Sequence, residues 1–227
     1  TTSAAYLLIA QAKSGEVVDS SQLLEFFKNP APVFFTPRFN AALMEVGDNL
    51  KKEGDLPTAS LFYQFVRDYE TLENGLSAYI RKLERRVAKF ADNVVLRNFY
   101  VEAKAKLENA QADLAALRSS TNYTPLLHWR IAGVYMEMER KWEAFWRFRL
   151  MVDAYPDHKY AEEILFSAYS LGHQLGANAI AEELGKRYLN NGTYTSYRDT
   201  VADQVSGIYQ EEEKDDELYA LTAWYLE

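Results

Sequence analysis

Cysteine is absent from this 227-residue chain, which removes disulfides, thiolate nucleophiles and cysteine-based metal sites together. The absence fixes no compartment, because a cysteine-free chain suits the cytosol and the periplasm alike. Proline and glycine are scarce, at six and ten residues, too few for an all-β protein with its many turns. Positive charge is in deficit: the formal net charge is −8 and the pI about 5.1. That balance argues against a nucleic-acid partner, since such binders usually show a basic face. No apolar run approaches the roughly 20 residues that a membrane-spanning helix needs. There is no initiating methionine either. The chain starts at Thr1 and reads as a trimmed or processed product, so any membrane attachment would come through residues upstream of Thr1.

What is present favours helix. Hydrophobic residues make up 48% of the chain, enough for a substantial core, and Ala, Leu, Glu and Lys are abundant, as helices prefer. The segment from Lys141 to Tyr155 places Trp142, Phe145, Trp146, Arg149 and Val152 at helical spacing. Pro156 cannot donate a backbone hydrogen bond and disfavours helical geometry in the residue before it, so that helix ends near Ala154 or Tyr155. Asp157 is placed to cap the next helix, with Glu162 and Glu163 in its first turns, where the helix dipole favours negative charge. Ala161, Leu165, Ala168 and Tyr169 continue an apolar stripe. Two helices meeting across a three- or four-residue break point to a helical repeat.

A period follows. Ala132, Tyr135, Ala144, Phe148 and Pro156 fall at steps of 3, 9, 4 and 8, a pattern that resembles the tetratricopeptide repeat (TPR). The same steps run from Gly47 through Leu50, Ala59 and Tyr63 to Thr71, with Glu53–Asp55 as the turn. Small residues would let paired helices approach while a large neighbour fills the gap. A third copy, started at Tyr160, puts Tyr169 in the tyrosine place, with an extra residue in its turn (Ser170–Asn178) that shifts the register at Ala177 or Ala179. Leu8, Gln11, Ser20, Leu24 and Pro32 keep the spacing with poorer residues, and the segment from Val201 to Glu227 reads as a last, degenerate pair.

Between the first two copies lies a different pattern. Leu76, Ile80, Leu83, Val87 and Phe90 step by 4 and 3, and Leu96, Tyr100, Ala103, Leu107, Ala110, Leu114 and Leu117 do so again. This is a heptad seam on two long helices. The plainer expectation is an oversized pair whose helices pack on each other, since Ala103 and Ala110 suit close antiparallel packing; the sharper one is a protruding hairpin or a dimerisation seam.

The junction Ala154–Gly172, AYPDHKYAEEILFSAYSLG, resembles one common in bacterial cell-envelope TPR proteins of the TolA-binding and outer-membrane-assembly lipoprotein types. The repeat pattern and the resemblance together point to an all-α fold, a TPR-like right-handed superhelix (an α-α solenoid); the heptad spacing adds one pair of unusually long helices, a departure from a plain repeat array. The fold would form a single domain over residues 1–227, in units 1–32, 40–71, 72–119, 125–156, 159–191 and 195–227. The resemblance also implies a non-catalytic scaffold that binds a protein or peptide segment, in the bacterial periplasm or at the outer-membrane periphery, with the cytoplasm as the alternative. In such arrays the first helix of each pair lines a concave face. That face would carry Met44, Asp48 and Lys51, then Trp129, Gly133 and Met136, then Tyr160, Glu163, Ser167 and Ser170. Trp129 and Met136 beside small residues would form an adaptable apolar slot; the alternative is that Trp129 only completes the packing. The Lys and Asn clamp with which some family members grip a C-terminal carboxylate is not recognisable, which argues against that ligand class.

Other patterns point away from chemistry. The stretch Arg140–Arg149, RKWEAFWRFR, mixes aromatics with cations as a base-stacking surface would, but its aromatics lie where core and inter-repeat packing take them. Gln210–Glu217 reads as a solvated acidic turn, or one facing a basic partner. The three histidines, His128, His158 and His173, lack metal-motif spacing, and the last two are expected to be exposed. Glu162/Glu163 and Glu182/Glu183 point to diverging helix faces. No phosphate loop or nucleophile elbow is found. The expected sets of catalytic residues, metal ligands and cofactors are therefore empty. The sequons Asn191–Thr193 and Asn122–Thr124 matter only in a eukaryotic secretory setting. Two further readings stay open: a self-assembly module working through the heptad hairpin, and an all-helical enzyme with an unrecognised site.

Overall fold

The computed structural model describes residues 36–91 and 94–225, together with residues 7, 9–11 and 14. Leu8, Ser20, Leu24 and Pro32 of the first expected unit lie outside the described residues. From Pro37 onward there are ten α-helices and one 3₁₀ turn, residues 7 and 9–11 are also helical, and the described residues contain no strand, so the chain is all-α. It divides into two compact units, residues 1–127 and 128–227.

In the first unit, α1 (Pro37–Glu53) and α2 (Leu56–Phe65) form a short hairpin, and α3 (Tyr69–Phe90) and α4 (Arg97–Ser119) a long one. Three of these four helix starts carry a side-chain cap; α4, which follows Leu96, does not. Thr36 accepts from the Phe39 amide at 3.4 Å with Pro37 just inside the helix, Asp55 from Thr58 at 3.2 Å and Asp68 from Thr71 at 2.7 Å. Gly47, Leu50, Ala59 and Tyr63 are all buried at the α1–α2 contact. The link between the hairpins is held from two sides. The buried Asn40 side chain accepts from the Arg67 amide at 2.6 Å and donates to the Thr36 carbonyl at 3.0 Å, while the Tyr123 hydroxyl donates to the Arg67 carbonyl at 2.5 Å.

The heptad seam is used inside the long hairpin. Leu72, Leu76 and Leu117 form one buried cluster with Leu114 against it, and Ile80, Leu83 and Ala110 form a second with Leu107. Between Glu84 and Asn109, Ala103 alone is buried among the described residues. The distal half of the hairpin is therefore mostly solvent-facing.

The second unit is built on a period. Helices α5 (Thr124–Glu137), α7 (Ala161–Gln174) and α9 (Arg198–Glu211) begin 37 residues apart, as do α6 (Lys141–Ala154), α8 (Asn178–Leu189) and α10 (Asp215–Tyr225). Leu127, Ile164 and Val201 occupy one buried place; Ile131, Ala168 and Val205 share a second, and Val134, Leu171 and Ile208 a third. Helix α7 lies against α6 on one side and α8 on the other, and α9 stands in the same way between α8 and α10.

The turns inside the hairpins repeat more closely than the sequence does. One residue is left-handed in each of the four short hairpins: Gly54 (φ 85°), Glu139 (57°), Gly176 (69°) and Glu213 (54°). The next amide then donates back to a carbonyl five residues earlier, from Asp55 to Leu50, Arg140 to Tyr135, Ala177 to Gly172 and Lys214 to Tyr209, at 2.8–2.9 Å. This Schellman-type closure satisfies carbonyls that the helix end leaves open.

Three expectations are corrected here. The turn Ser170–Asn178 carries no extra residue relative to the turn after α5; the added length lies in the connection before α7, residues 155–160. Asp157 does not cap α7, which begins at Ala161 after a turn in which His158 donates to the Tyr155 carbonyl at 3.2 Å and Ala161 to that of His158 at 2.8 Å. Tyr169 therefore stands three residues from its expected place. The steps 3, 9 and 4 run instead through Tyr169, Gly172, Ala181 and Gly185, all buried.

Candidate functional site

Helix α5 buries Leu127, Ile131 and Val134 and leaves Trp129, Gly133 and Met136, at spacings of four and three, on another face. The Trp129 indole is both packed and open. Its ring meets the buried Phe148 edge-on, with centroids 5.5 Å apart, yet the residue stays 37% exposed. Tyr160, from the connection ahead of α7, tilts against the same indole at 6.3 Å. The Tyr160 ring in turn carries the Lys159 ammonium 4.7 Å from its centroid and the His158 ring at 5.7 Å. The 37-residue offset leaves this connection long enough to bring Tyr160 back onto α5. Two aromatic faces thus stand side by side on a packed floor, with a cation at the edge.

The remaining sequence candidates are less available. Glu163, Ser167 and Ser170 are half-buried on α7. Ser167 donates to the Glu163 carbonyl at 2.7 Å, and Ser170 accepts from Gln174 at 3.3 Å, so both hydroxyls serve their own helix. Met136 is exposed. In the first unit, Met44, Asp48 and Lys51 lie on α1, half-buried. There the Asp48 carboxylate accepts from the Tyr63 hydroxyl at 2.6 Å and is engaged within its own hairpin.

The polar groups hold the fold rather than converge on a substrate. Burial opposes ionisation of Glu162, but hydrogen bonds from Tyr188 and Ser196 outweigh it and lower its pKa. The Glu162 carboxylate accepts from the Tyr188 hydroxyl and, at 2.6 Å, from the Ser196 amide; the Tyr188 oxygen accepts from the Tyr197 amide at 2.9 Å. This ties down the connection before α9, where Tyr197 stacks on Phe166 at 3.8 Å. A cavity of about 180 Å³ lined by Val152, Ile164, Leu165, Arg187 and Tyr194 opens beside it. Its one cation, Arg187, is already bound to Asp153 at 2.9 Å and to the Val152 carbonyl at 3.0 Å.

His158 and His173, expected to be exposed, are half-buried. His158 Nδ1 accepts from the Tyr160 amide at 3.3 Å, and His173 lies parallel to Tyr169 with centroids 6.4 Å apart. His128 Nδ1 stands 3.1 Å from an Arg147 nitrogen. Among the described residues no group of three or more His, Asp or Glu is placed to hold a metal ion, and no helix is long and apolar enough to cross a membrane.

Sequence reasoning missed one surface. Trp142 and Trp146, assigned to core and inter-repeat packing, are 47% and 55% exposed, while Ala144 and Phe145 between them are buried. A period of 37 would have found them, because the places of Trp146 and Leu150 recur on α8 as Glu183 and Arg187. Compared with known proteins, the chain matches no family model and no curated sequence.

Proposed function

We propose that the chain is a non-catalytic protein-interaction scaffold, a TPR-like helical solenoid whose first helices offer a groove to a peptide or helix of a partner. The observation that carries this reading is the Trp129–Tyr160 pair, two partly exposed rings held on buried Phe148. Rigid aromatic anchors at the edge of a packed element are what binding hot spots use, because little side-chain freedom is left to lose on association. The 37-residue recurrence of one capped hairpin supports the solenoid part. The resemblance of the Ala154–Gly172 junction supports a setting in the bacterial envelope. The test is capture from an envelope fraction on immobilised protein, with partners identified by mass spectrometry. A partner retained by wild type and lost with both Trp129→Ala and Tyr160→Ala, at unchanged melting temperature, supports the reading. Retention of every partner by both variants refutes it.

A second reading, self-assembly through the long hairpin, is favoured by its distal end, where Val95 is 90% exposed and Phe99 and Val101 are also open. Sedimentation velocity of wild type beside Val95→Glu/Phe99→Glu decides it: a dimer that only the wild type forms supports assembly there.

A further inference from the structure

The long hairpin gathers charge of the sign that the rest of the chain lacks. Residues 81–106 hold eight cations and three carboxylates, a net of +5 in a chain whose net is −8. All eight cations are exposed. On α3, Lys82, Arg85, Arg86 and Lys89 lie three or four residues apart and so share one side of the helix. On α4, Arg97 and Lys104 are seven apart, with Val101 between them on the same side. Elsewhere many cations are offset by carboxylates: Arg118 pairs with Glu73 at 2.7 Å, Arg149 with Asp153 at 2.7 Å and Lys186 with Glu182 at 2.6 Å. Of the eight here, only Lys106 forms an ion pair among the described residues, with Glu102. The other seven are left for a partner to meet.

The far end of the same hairpin is apolar. Val95, in the 3₁₀ turn Val94–Leu96, is 90% exposed, and Phe99 and Val101 are each 58% exposed. The Phe99 ring tilts against the Phe90 ring with centroids 6.2 Å apart, which fixes its place at the hairpin end. Arg85, Arg86, Lys89 and Arg97 lie within about 8 Å of this end along the helix axes, one Debye length at physiological salt. Anything that touches the apolar end therefore feels these charges unscreened.

We propose that the distal end of the long hairpin docks on an anionic lipid surface, with Val95, Phe99 and Val101 entering the boundary between headgroups and acyl chains and the surrounding cations meeting lipid phosphates. Interfacial helices work by this combination, a modest apolar area together with basic residues drawn by the negative surface potential. Lys and Arg suit the place, since their stems lie along apolar surface while the charged heads reach out. The acidic remainder of the chain is repelled by such a surface, so the hairpin end is what the surface attracts. Other occupants fit less well. A second copy would bring two like-charged ends together, so charge counts against self-assembly at this end. Nucleic acid would use the cations but not the two valines, and stacking on bases needs ring faces, which Phe90 and Phe99 turn partly on each other. An acidic protein would need a socket shaped to this end, where a lipid interface accepts any apolar end of its size.

The test is flotation of the full chain with vesicles of phosphatidylcholine, alone or mixed with phosphatidylglycerol. Wild type is expected to float with the mixed vesicles only, and less as salt is added. Arg85→Glu/Arg86→Glu/Lys89→Glu should lower the partition roughly ten-fold or more, Val95→Ser/Phe99→Ser should lower it several-fold, and Trp129→Ala should leave it unchanged. Should the charge reversals lower the melting temperature, Arg85→Gln/Arg86→Gln/Lys89→Gln replaces them. Because the chain has no cysteine, Val95→Cys carries a single environment-sensitive dye, whose emission should shift to the blue with the mixed vesicles. The proposal is overturned if the mixed vesicles are not bound, if the charge or the apolar variant binds them as wild type does, or if the dye does not shift. Binding of oligo-dT or poly-glutamate without binding of vesicles would overturn it in favour of another polyanion. A dimer in sedimentation velocity that forms without lipid and is lost with Val95→Ser/Phe99→Ser would overturn it in favour of self-assembly.

Discussion

Tyr63 lays its ring so closely on Gly47 that a β-carbon there would stand 2.6 Å from Cε1. The same contact recurs in the second unit with the sizes exchanged: Tyr169 takes the place of Gly47, Gly185 that of Tyr63, and a β-carbon on Gly185 would stand 3.0 Å from Tyr169 Cε2. Ala132 and Phe148 occupy these places in the hairpin of α5 and α6. What is kept is the combined volume of the pair, as a close-packed contact demands. Gly47→Ala should cost about 1–3 kcal/mol, read as a lower midpoint in urea unfolding. Gly47→Ala/Tyr63→Leu should cost less than the two single changes together, since the smaller side chain relieves the clash.

The left-handed turn position carries glycine at Gly54 and Gly176 but glutamate at Glu139 and Glu213. A side chain in this region costs about 1–2 kcal/mol, and glycine recovers part of that against its larger unfolded-state entropy. Glu139→Gly and Glu213→Gly should each raise stability by about 0.5–1 kcal/mol, and Gly176→Ala should lower it by a similar amount. Denaturant midpoints measured on the three variants in parallel check both signs.

Acid should loosen the junction of the second and third hairpins of the second unit. Hydrogen bonds from Lys186 and Lys214, both at 2.6 Å, hold the Glu182 carboxyl below the usual glutamate range. Its pKa in the folded state lies below that in the unfolded chain. The stability it contributes is therefore present above about pH 4.3 and is lost as the pH falls through the lowered value. Between about pH 5 and 3, wild type should lose more of its unfolding midpoint than Glu182→Gln. Equal losses would show that the pair adds nothing.

How far the sequence could be read depended on what each signal measures. Helix ends set by local chemistry were readable: Pro156 stops α6 at Ala154, and Glu162 and Glu163 sit in the first turn of α7. The start of α7 was misplaced because Asp157 is a good cap in isolation, yet the chain spends residues 155–160 bringing Tyr160 onto Trp129. Nothing local reports that tertiary gain. The register failed at Tyr169 because a search for small residues followed by large cannot see a pair that trades places. The Trp142–Trp146 stripe was missed because helical spacing tells which residues share a face, not whether another element covers it.

Leu107 and Leu114 lie inside the long hairpin, packed against the Ile80–Leu83–Ala110 and Leu72–Leu76–Leu117 clusters. As a dimerisation seam, glutamates there would release a folded monomer. In the observed packing, Leu114 touches both clusters, so its replacement places an unpaired carboxylate between α3 and α4. Leu114 is half-buried, so Leu114→Glu should cost about 1–3 kcal/mol from lost packing and partial desolvation of the charge. The loss should appear as reduced helicity by circular dichroism, whatever the oligomeric state. Phe99→Glu, on the exposed distal part of α4, should leave the helicity intact. Amide exchange separates the two: fast exchange along 69–119 in the first variant with wild-type protection in the second places the seam within one chain, whereas native protection in both would place Leu114 in a contact between chains.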